Sequence, residues 1–471
     1  MNLSETMDQL MKDYHVAGMA AAVVRNGEVT DLEGRGLRNV AEQLPMTEKT
    51  VMPIGSITKS FTTLALGMLV EERKLDWDRP VKEYIPSLKL SDPEAEMHAT
   101  VRDILCHRTG VPRYDLQVAY DAVDDPEKMI TSLQYLDSTA PFRTKLQYSN
   151  QMVSLAGYLV DLLSGMSYKE FLKKRIFEPL GMSRTDFEVD SLGQYEDHAA
   201  GYVFANDQYI EPPYLHLGAF VPAGGIVSSA EDMAKYVNFQ LGHGPELVKP
   251  ETLKEMHTHQ VIGSPYFWTF PEVQSAEYGL TWFTDIYRGV PMISHGGNTN
   301  GYSAQLVFLP DQDFGMVVLS NATSTFAVNA LGNILSDEVL GVKDIPDWSA
   351  RYQKVFADYF GKAMAKIQAR AEKKIPDTHP SKEASAYEGT YEHPGFGTMV
   401  FTCSDNGYSG TWNGLPAMLN HYHYDSFDLI LPMLGMPVPA QFEIGDDGSV
   451  TGIRVWLETD APAKPAFFHK I

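Results

Sequence analysis

The chain has 471 residues, and 44% of them are hydrophobic. This length is too great for one ordinary hydrophobic core, and the apolar content is enough to fill two or three domains. Its 61 acidic residues outnumber its 38 basic residues, and the formal net charge is -23. Such a charge repels phosphate backbones and anionic lipid surfaces, so we expect neither nucleic acid nor a membrane as a partner.

The N-terminal stretch MNLSETMDQLMKDYHVAGMAAAVVRNG carries acidic residues early and has only a short apolar run. It lacks the basic segment of a secretion signal and predicts an amphipathic helix that leads into a strand. No apolar run reaches the roughly 20 residues that a membrane-spanning helix needs. The two cysteines, Cys106 and Cys403, lie far apart in the sequence and in different predicted domains. We therefore expect a cytoplasmic protein.

The first third of the chain alternates between predicted strands and helices. Two β-runs flank the pair Asn26-Gly27, which is typical of a tight hairpin turn. A helix is predicted to begin at Ser56, and another runs through QMVSLAGYLVDLLSG, where Gly165 would close it. A hairpin followed by helices indicates an α+β fold.

Later segments predict the rest of the architecture. Four short β-runs, YGLTWFTDI, PMISHGG, YSAQLVFLP and FGMVVLSNA, are expected to complete an antiparallel sheet with the first hairpin. We predict a first domain over residues 1–345 and a charged helical linker over 346–380. Residues 381–471 contain short alternating runs with Gly and Asn turns, and these predict a small closed or nearly closed antiparallel β-barrel.

The segment PIGSITKSFTTLALGMLVEERKL places Lys59 in a predicted helix that is apolar on nearly every face. Burying an ammonium without a partner is costly, so such a lysine is either paired or kept for chemistry. Ser56 stands three residues earlier, and helical spacing brings the two side chains onto one face. Gly55 permits a tight turn before the helix, and a helix N-terminus favours a developing anion. The pair therefore predicts acyl transfer.

Two further motifs could complete such a site. In LQYSNQ, Tyr148 and Asn150 are two residues apart in a predicted extended segment, so both would point to one side. A phenol whose pKa is lowered by a nearby ammonium could serve as the base. In SHGGNTNG a strand enters Gly296 and Gly297, whose bare backbone could lie along a substrate, and Asn298 follows. Taken singly, the three motifs could be a solvated helix face, a helix N-cap and a strand-end turn.

The order SITK, YSN and HGG resembles the serine β-lactamase and penicillin-binding-protein superfamily, in its class C-related branch. Similar stretches cover most of residues 5–325, among them TVRDILCHRTGVP and PAGGIVSSAEDMAKY. The resemblance implies a β-lactamase/transpeptidase-like domain, an antiparallel sheet flanked by helices with a helical subdomain. It also implies that Ser56 is the acylated nucleophile, Lys59 its proton partner and Tyr148 the general base that later protonates the leaving group.

The same resemblance implies the substrate-binding residues. Asn150 would bind the substrate amide, and the backbone N–H groups of Ser56 and Asn298 would form the oxyanion hole. His295, with Gly296 and Gly297, stands where β-lactamases and carboxypeptidases of this superfamily usually carry a Lys-Thr/Ser-Gly triad. A histidine there resembles D-aminopeptidases, D-amino-acid amidases and CubicO-type peptidases, the last of which carry a lipocalin-like C-terminal domain.

These implications lead to a functional expectation with two alternatives. We expect a serine hydrolase that acts on small peptides or amides, D-amino-acid compounds included, through a two-step acyl-enzyme mechanism without metal or organic cofactor. A carboxylesterase or transesterase of the same fold is the first alternative. The second is a penicillin-recognising or small-molecule-binding protein with little turnover, against which the presence of Ser56, Lys59 and Tyr148 argues. A homo-oligomer and the role of the barrel stay open.

Three weaker signals stand outside these motifs. His257 and His259, and likewise His421 and His423, have a spacing that would put both rings on one side of a strand, as in some metal sites. No third ligand is evident for either pair, so we expect both on a polar surface or a barrel rim. Tyr278 is expected to be a buried aromatic residue that packs the sheet.

Overall fold

The computed structural model describes residues 2–120, 123–187, 189–263, 270–404, 407–432, 437–458 and 463–471. It contains an antiparallel sheet with helices on both faces, followed by a closed antiparallel barrel. The α-helices are α1 (Leu3–Tyr14), α2 (Thr58–Glu71), α3 (Val81–Tyr84), α4 (Pro93–His98), α5 (Val101–Leu105), α6 (Asp115–Tyr120), α7 (Pro126–Ser132), α8 (Asn150–Ser164), α9 (Tyr168–Leu172), α10 (Glu178–Leu180), α11 (Val221–Gly224), α12 (Ala230–Gln240), α13 (Pro250–Met256), α14 (Ala327–Val339) and α15 (Trp348–Glu372).

Strands of the first part of the chain are β1 (Gly18–Arg25), β2 (Glu28–Asn39), β3 (Leu44–Pro45), β4 (Met52–Pro53), β5 (Asp186–Phe187), β6 (Val203–Ala205), β7 (Gln208–Ile210), β8 (Ile226–Ser228), β9 (Val261–Ile262), β10 (Val273–Ser275), β11 (Glu277–Tyr278), β12 (Phe283–Tyr287), β13 (Val290–Thr299), β14 (Tyr302–Leu309) and β15 (Phe314–Ser320). The main sheet has the order β3-β2-β1-β15-β14-β13-β12-β11-β9, and β10 pairs with β12. The predicted hairpin and the four later β-runs therefore form one antiparallel sheet, which confirms the fold class.

The central strands are buried on both faces, which explains their Ala- and Val-rich sequences. On β1, Ala20, Ala22 and Val24 face the core that contains α2 and α12, whereas Met19, Ala21 and Val23 face the core that contains α1 and α14. The turn that leads from β1 to β2 uses Asn26 and Gly27 with φ angles of 49° and 79°. Both are left-handed values, as the Asn-Gly sequence predicts.

Helix α2 is buried along most of its length, which agrees with its uniformly apolar sequence. It begins at Thr58 rather than at Ser56, because residues Gly55–Ile57 form a 3-10 turn in front of it. Phe61 stacks on Tyr236 of α12 at a ring-centre distance of 3.8 Å. The helix therefore packs on the sheet face that α12 also covers, and the turn in front of it contacts β13.

The C-terminal barrel consists of β16 (Gly389–His393), β17 (Gly397–Ser404), β18 (Gly407–Trp412), β19 (Leu415–His423), β20 (Ser426–Ile430), β21 (Pro437–Ile444), β22 (Val450–Val455) and β23 (Ala466–Lys470). Each strand pairs with the next, and β23 pairs back to β16, so the barrel is closed. Buried aromatic side chains such as Tyr391, Phe401 and Phe427 fill it. Its core is continuous with that of the preceding helices.

Candidate active site

Ser56 lies in the 3-10 turn in front of α2, where Gly55 has a φ of 52° that glycine adopts without strain. A Cβ atom on Gly55 would lie 2.7 Å from the backbone N of Asn298 on β13. From the other side, a Cβ atom on Gly297 would lie 3.1 Å from the backbone N of Ser56. The turn and the strand therefore meet backbone to backbone. This contact places the N of Asn298 beside the Ser56 turn, where the predicted oxyanion hole would be.

Lys59 is fully buried, and its Nζ lies 2.9 Å from Ser56 Oγ, 2.8 Å from Asn150 Oδ1 and 2.5 Å from the carbonyl O of Ala223. A neutral amine has two N–H donors and one lone pair, whereas an ammonium has three donors and none. When the two carbonyl oxygens accept the two N–H groups, the lone pair faces the hydroxyl of Ser56. This is the geometry of a base that can accept the serine proton.

The electrostatics of the site favour the neutral amine. Burial lowers the pKa of Lys59 well below its usual value; the Arg113 guanidinium lowers it further, and the Asp115 carboxylate opposes this shift. Burial raises the pKa of Tyr148 to about 12, although Arg113 and a hydrogen bond with Ser56 act in the opposite direction. The expectation that an ammonium lowers the pKa of this phenol is therefore wrong. The phenol keeps its proton near neutral pH, and of the two groups Lys59 is the one whose pKa shift favours the basic form.

Tyr148 and Asn150 lie at the start of α8, and both face Lys59, whose Nζ is 4.9 Å from the centre of the Tyr148 ring. The guanidinium carbon of Arg113 is also 4.9 Å from that centre. Asn150 Nδ2 donates to Asp115 Oδ1 at 3.1 Å, and Arg113 Nε donates to Asp115 Oδ2 at 2.7 Å. Sequence reasoning missed both charged residues, because neither belongs to a motif that marks it.

Two buried histidines and a tyrosine link the start of α8 to β13. His107 Nδ1 accepts the N–H of Ser149 at 3.2 Å, so Nε2 carries the proton of the neutral ring. His295 Nδ1 donates to the carbonyl O of Gly296 at 2.6 Å, so its Nε2 is an acceptor. The Tyr278 hydroxyl lies 3.3 Å from each Nε2. One neutral arrangement satisfies all three groups: His107 donates to Tyr278, and Tyr278 donates to His295.

Both histidines are uncharged near neutral pH. Burial lowers the pKa of His295 to about 3 and that of His107 well below its usual value, and protonation of Lys59 would lower both further. His295 therefore offers no positive charge that could bind an anionic group near neutral pH. Tyr278 is buried as expected, but it does more than pack the sheet, because its hydroxyl joins the two rings.

The segment from His295 to Asn298 runs along β13 in register with β14, with Gly297 opposite Ala304 and Asn298 opposite Ser303. Asn298 Oδ1 accepts the hydroxyl of Ser303 at 2.9 Å, so the amide side chain is tied to the sheet. Its backbone N lies beside the Ser56 turn. The structure brings all eight predicted residues to one place, while their individual roles stay predictions.

Neither histidine pair lies on a regular stretch of strand. His257 follows the end of α13, where its Nε2 lies 2.9 Å from Gln240 Oε1. The ladder of β19 is irregular between His421 and His423, which breaks the expected alternation. Among the residues that the structure describes, no group of three His, Cys, Asp or Glu side chains could hold a metal ion. Within the same residues, no helix combines the length and apolarity of a membrane span.

Comparison with known protein families identifies the fold. Residues 3–340 match the family described as Beta-lactamase. The chain belongs to this β-lactamase family. Residues 373–470 match a domain of unknown function, DUF3471, so the barrel region has a family of its own.

Individual relatives extend over most of the chain. It is 27% identical to the Unguisins hydrolase ungD' of Aspergillus campestris over 500 aligned positions, with 98% of this chain and 92% of that protein covered. The structure of an octameric penicillin-binding protein homologue from Pyrococcus abyssi matches with a TM-score of 0.66 and 24% identity, and 99% of each chain is covered. A D-amino acid amidase from Ochrobactrum anthropi matches with a TM-score of 0.60 and 22% identity over 72% of this chain and 98% of that one. The fold is therefore shared with penicillin-binding proteins and amidases.

Proposed function

We propose that this β-lactamase-family protein hydrolyses small peptides or amides through an acyl-enzyme on Ser56. The observation that carries the proposal is the position of the buried Lys59 Nζ, within hydrogen-bond distance of the Ser56 hydroxyl and of two carbonyl oxygens. In a neutral amine the two carbonyl oxygens accept the two N–H groups, which leaves the lone pair for the serine proton. A buried amine held uncharged beside a hydroxyl is the arrangement that activates a serine nucleophile.

The first half-reaction forms the ester. Ser56 Oγ attacks the substrate carbonyl carbon while its proton passes to Lys59 Nζ, and the backbone N–H groups of Ser56 and Asn298 stabilise the oxyanion. The tetrahedral intermediate then expels the amine. Tyr148 keeps its proton at neutral pH, so its hydroxyl can protonate the departing nitrogen, and the Lys59 ammonium returns a proton to the phenolate. The products are a free amine and an acyl ester on Ser56.

The second half-reaction hydrolyses the acyl-enzyme and regenerates the free enzyme. Water attacks the ester carbonyl and gives its proton to the neutral Lys59, after which the tetrahedral intermediate expels Ser56 Oγ. The ammonium supplies the proton that restores the serine hydroxyl. The net reaction adds one water across the amide bond, and each group in the site ends the cycle in the protonation state in which it began.

Two findings support amides over penicillins as substrates. His295 is uncharged near neutral pH, so it supplies no cation for a substrate carboxylate at the position where β-lactamases usually carry a lysine. Relatives of similar fold include a hydrolase of unguisins and a D-amino acid amidase. Peptides and amides, D-configured ones included, are therefore the proposed substrate class, and simple carboxylic esters are the second.

A turnover screen tests this proposal. It compares p-nitroanilides of L- and D-amino acids, short-chain p-nitrophenyl esters and a chromogenic cephalosporin, with Ser56→Ala as the control. We expect the amides to have the highest kcat/KM and the control to be inactive on every substrate. Rapid cephalosporin hydrolysis with idle amides would contradict the proposal, and an ester-only profile would favour the esterase. Stoichiometric binding without turnover would favour a penicillin-recognising protein.

We also propose that the chain self-associates through helix α15. Phe356, Phe360 and Met364 follow one another at four-residue spacing on one face of this helix, and all three are exposed. The homologue from Pyrococcus abyssi is octameric. Light scattering after size exclusion should give a multiple of 52.5 kDa for the wild type and a lower mass for Phe360→Glu. A monomeric wild type would refute this surface.

A further inference from the structure

The barrel packs against the lobe that carries one side of the active site. Tyr120 at the end of α6 stacks on Trp412 of β18 at 5.2 Å, and its carbonyl accepts the side-chain N–H of Asn413 at 3.0 Å. Gln117 Nε2 donates to the carbonyl O of Gly395 at 3.3 Å. The chain just before α6 contains Arg113, whose guanidinium lies beside Tyr148. The barrel therefore contacts the same short stretch of chain as the catalytic groups.

Glu458, just beyond β22 of the barrel, contacts the residue that follows Arg113 in the chain. It is 7% exposed, and its Oε2 accepts the backbone N–H of Tyr114 at 3.0 Å. Tyr114 has a φ of 42°, a left-handed value that is strained for a bulky side chain. Such a conformation persists only when its surroundings hold it.

Further contacts fix Tyr114 from both domains. Its ring stacks on Phe396 of the barrel at 6.2 Å, and its hydroxyl donates to the carbonyl O of Asp137 at 3.3 Å. Its own carbonyl accepts Gln151 Nε2 at 3.1 Å. The N–H of Tyr114 is thus held by the barrel and its C=O by α8, so the peptide units on both sides of the strained residue are fixed.

The neighbours of Tyr114 in the chain are the two charged residues of the site. Arg113 lies over the Tyr148 ring, and Asp115 accepts a hydrogen bond from Asn150. If the backbone at Tyr114 relaxed to a negative φ, the directions of both flanking side chains would change. The charge arrangement of the active site therefore depends on a backbone conformation that the barrel stabilises.

We propose that Glu458 is a positioning residue of the active site, because its carboxylate, by accepting the N–H of Tyr114, fixes the charged turn 113–115 against the catalytic groups. The inference rests on the proposed function in taking Ser56 as the nucleophile and Lys59 as its base. It assigns the barrel a part in catalysis without placing any barrel atom on the substrate.

The proposal predicts a change in the pH dependence of the reaction at Ser56. Five charged or titratable groups face the Lys59 amine from the surrounding elements, namely Arg113, Asp115, His107, His295 and Tyr148. Of the two on the turn, Arg113 lowers the pKa of Lys59 more than Asp115 raises it. Release of segment 113–115 from Glu458 should therefore raise the pKa of Lys59, so the amine would stay protonated to higher pH.

The experiment measures the rate at which a fluorophosphonate labels Ser56 in the full-length protein as a function of pH. This readout needs no natural substrate. Glu458→Ala should label about tenfold more slowly than wild type near neutral pH, the effect expected for one hydrogen bond to a charged group. The deficit should shrink as pH rises. Glu458→Gln keeps an acceptor oxygen and should recover most of the rate. Glu443→Ala, which removes a carboxylate paired with Arg454 elsewhere on the barrel, is the matched control.

The outcomes separate the two proposals. A wild type that is not labelled at Ser56 would refute the proposed function. A labelled wild type with Glu458→Ala equal to it at every pH would refute the role of Glu458 alone. If Glu458→Ala lowers the melting temperature without moving the pH profile, or if Glu458→Gln is as slow as Glu458→Ala, the residue is merely structural and the inference is wrong.

Discussion

Replacing Gly297 by alanine tests the contact between β13 and the serine turn. The added Cβ would lie 1.9 Å from the carbonyl O of Ile54, 2.8 Å from its carbonyl carbon and 3.1 Å from the N of Ser56. The two closest neighbours are backbone atoms, so no side-chain rotation can relieve the overlap. Real Cβ atoms essentially never approach closer than 3.0 Å, so β13 and the turn must separate by about 1.1 Å.

This displacement sets the expected magnitude. Moving reacting groups by about 1 Å can reduce a rate roughly 100-fold, because the bound geometry is no longer close to the reacting one. The separation moves apart the backbone N–H groups of Ser56 and Asn298, which are proposed to stabilise the oxyanion in the transition state. We therefore expect kcat to fall with a smaller change in KM. The fluorophosphonate labelling rate of Ser56 should fall in parallel.

The matched control is Gly361→Ala on α15, where an added Cβ has no neighbour within 4 Å. Alanine is favoured over glycine in a helix interior by roughly 1 kcal/mol, so this variant should be at least as stable as wild type and equally active. Circular dichroism and melting temperature establish that both variants are folded. A folded Gly297→Ala protein with wild-type kcat/KM would refute the packing argument and the oxyanion role of Asn298.

Three further predictions follow from the same geometry. Tyr148→Phe should leave the fold intact and lower kcat by about 100- to 10,000-fold, the usual range for a general acid–base group; a wild-type rate would remove Tyr148 from the mechanism. Because burial lowers the pKa of Lys59, kcat/KM should rise with pH as Lys59 loses its proton, with a midpoint well below 10.5, and then stay level until Tyr148 ionises near 12. A midpoint near 10 would show that the amine is protonated in the free enzyme at neutral pH. Tyr278→Phe leaves two buried imidazole nitrogens without their partner and should lower the free energy of unfolding by roughly 1–3 kcal/mol in urea titration, whereas exposed Tyr424→Phe should not change it.

The features that could be predicted from sequence are those with a local pattern. The apolar run around Lys59 predicts a buried helix, and burial of an amine beside Ser56 follows from helical spacing. The Asn26-Gly27 turn and the alternating runs beyond residue 381 likewise predict a hairpin and a barrel. In each case the side chains that decide the structure are neighbours in the chain, so the pattern is visible before folding.

The features that could not be predicted depend on contacts between distant segments. Arg113 and Asp115 sit in an ordinary loop sequence, and only the packing of that loop on α8 brings them to Tyr148. Glu458 is 344 residues from Tyr114, and nothing near it in the sequence indicates a partner. The direction of the pKa shift of Tyr148 was also missed, because it depends on burial and on which of two adjacent groups carries the proton.

The central claim is that an acyl group passes through Ser56. Mixing the protein with an aminoacyl p-nitroanilide, quenching in acid and mapping peptides by mass spectrometry tests it directly. The account predicts an adduct with the mass of the acyl group on the peptide that contains Ser56, absent in Ser56→Ala and slow to form in Tyr148→Phe. Turnover that continues in Ser56→Ala, with no adduct on the wild type at any quench time, would contradict it.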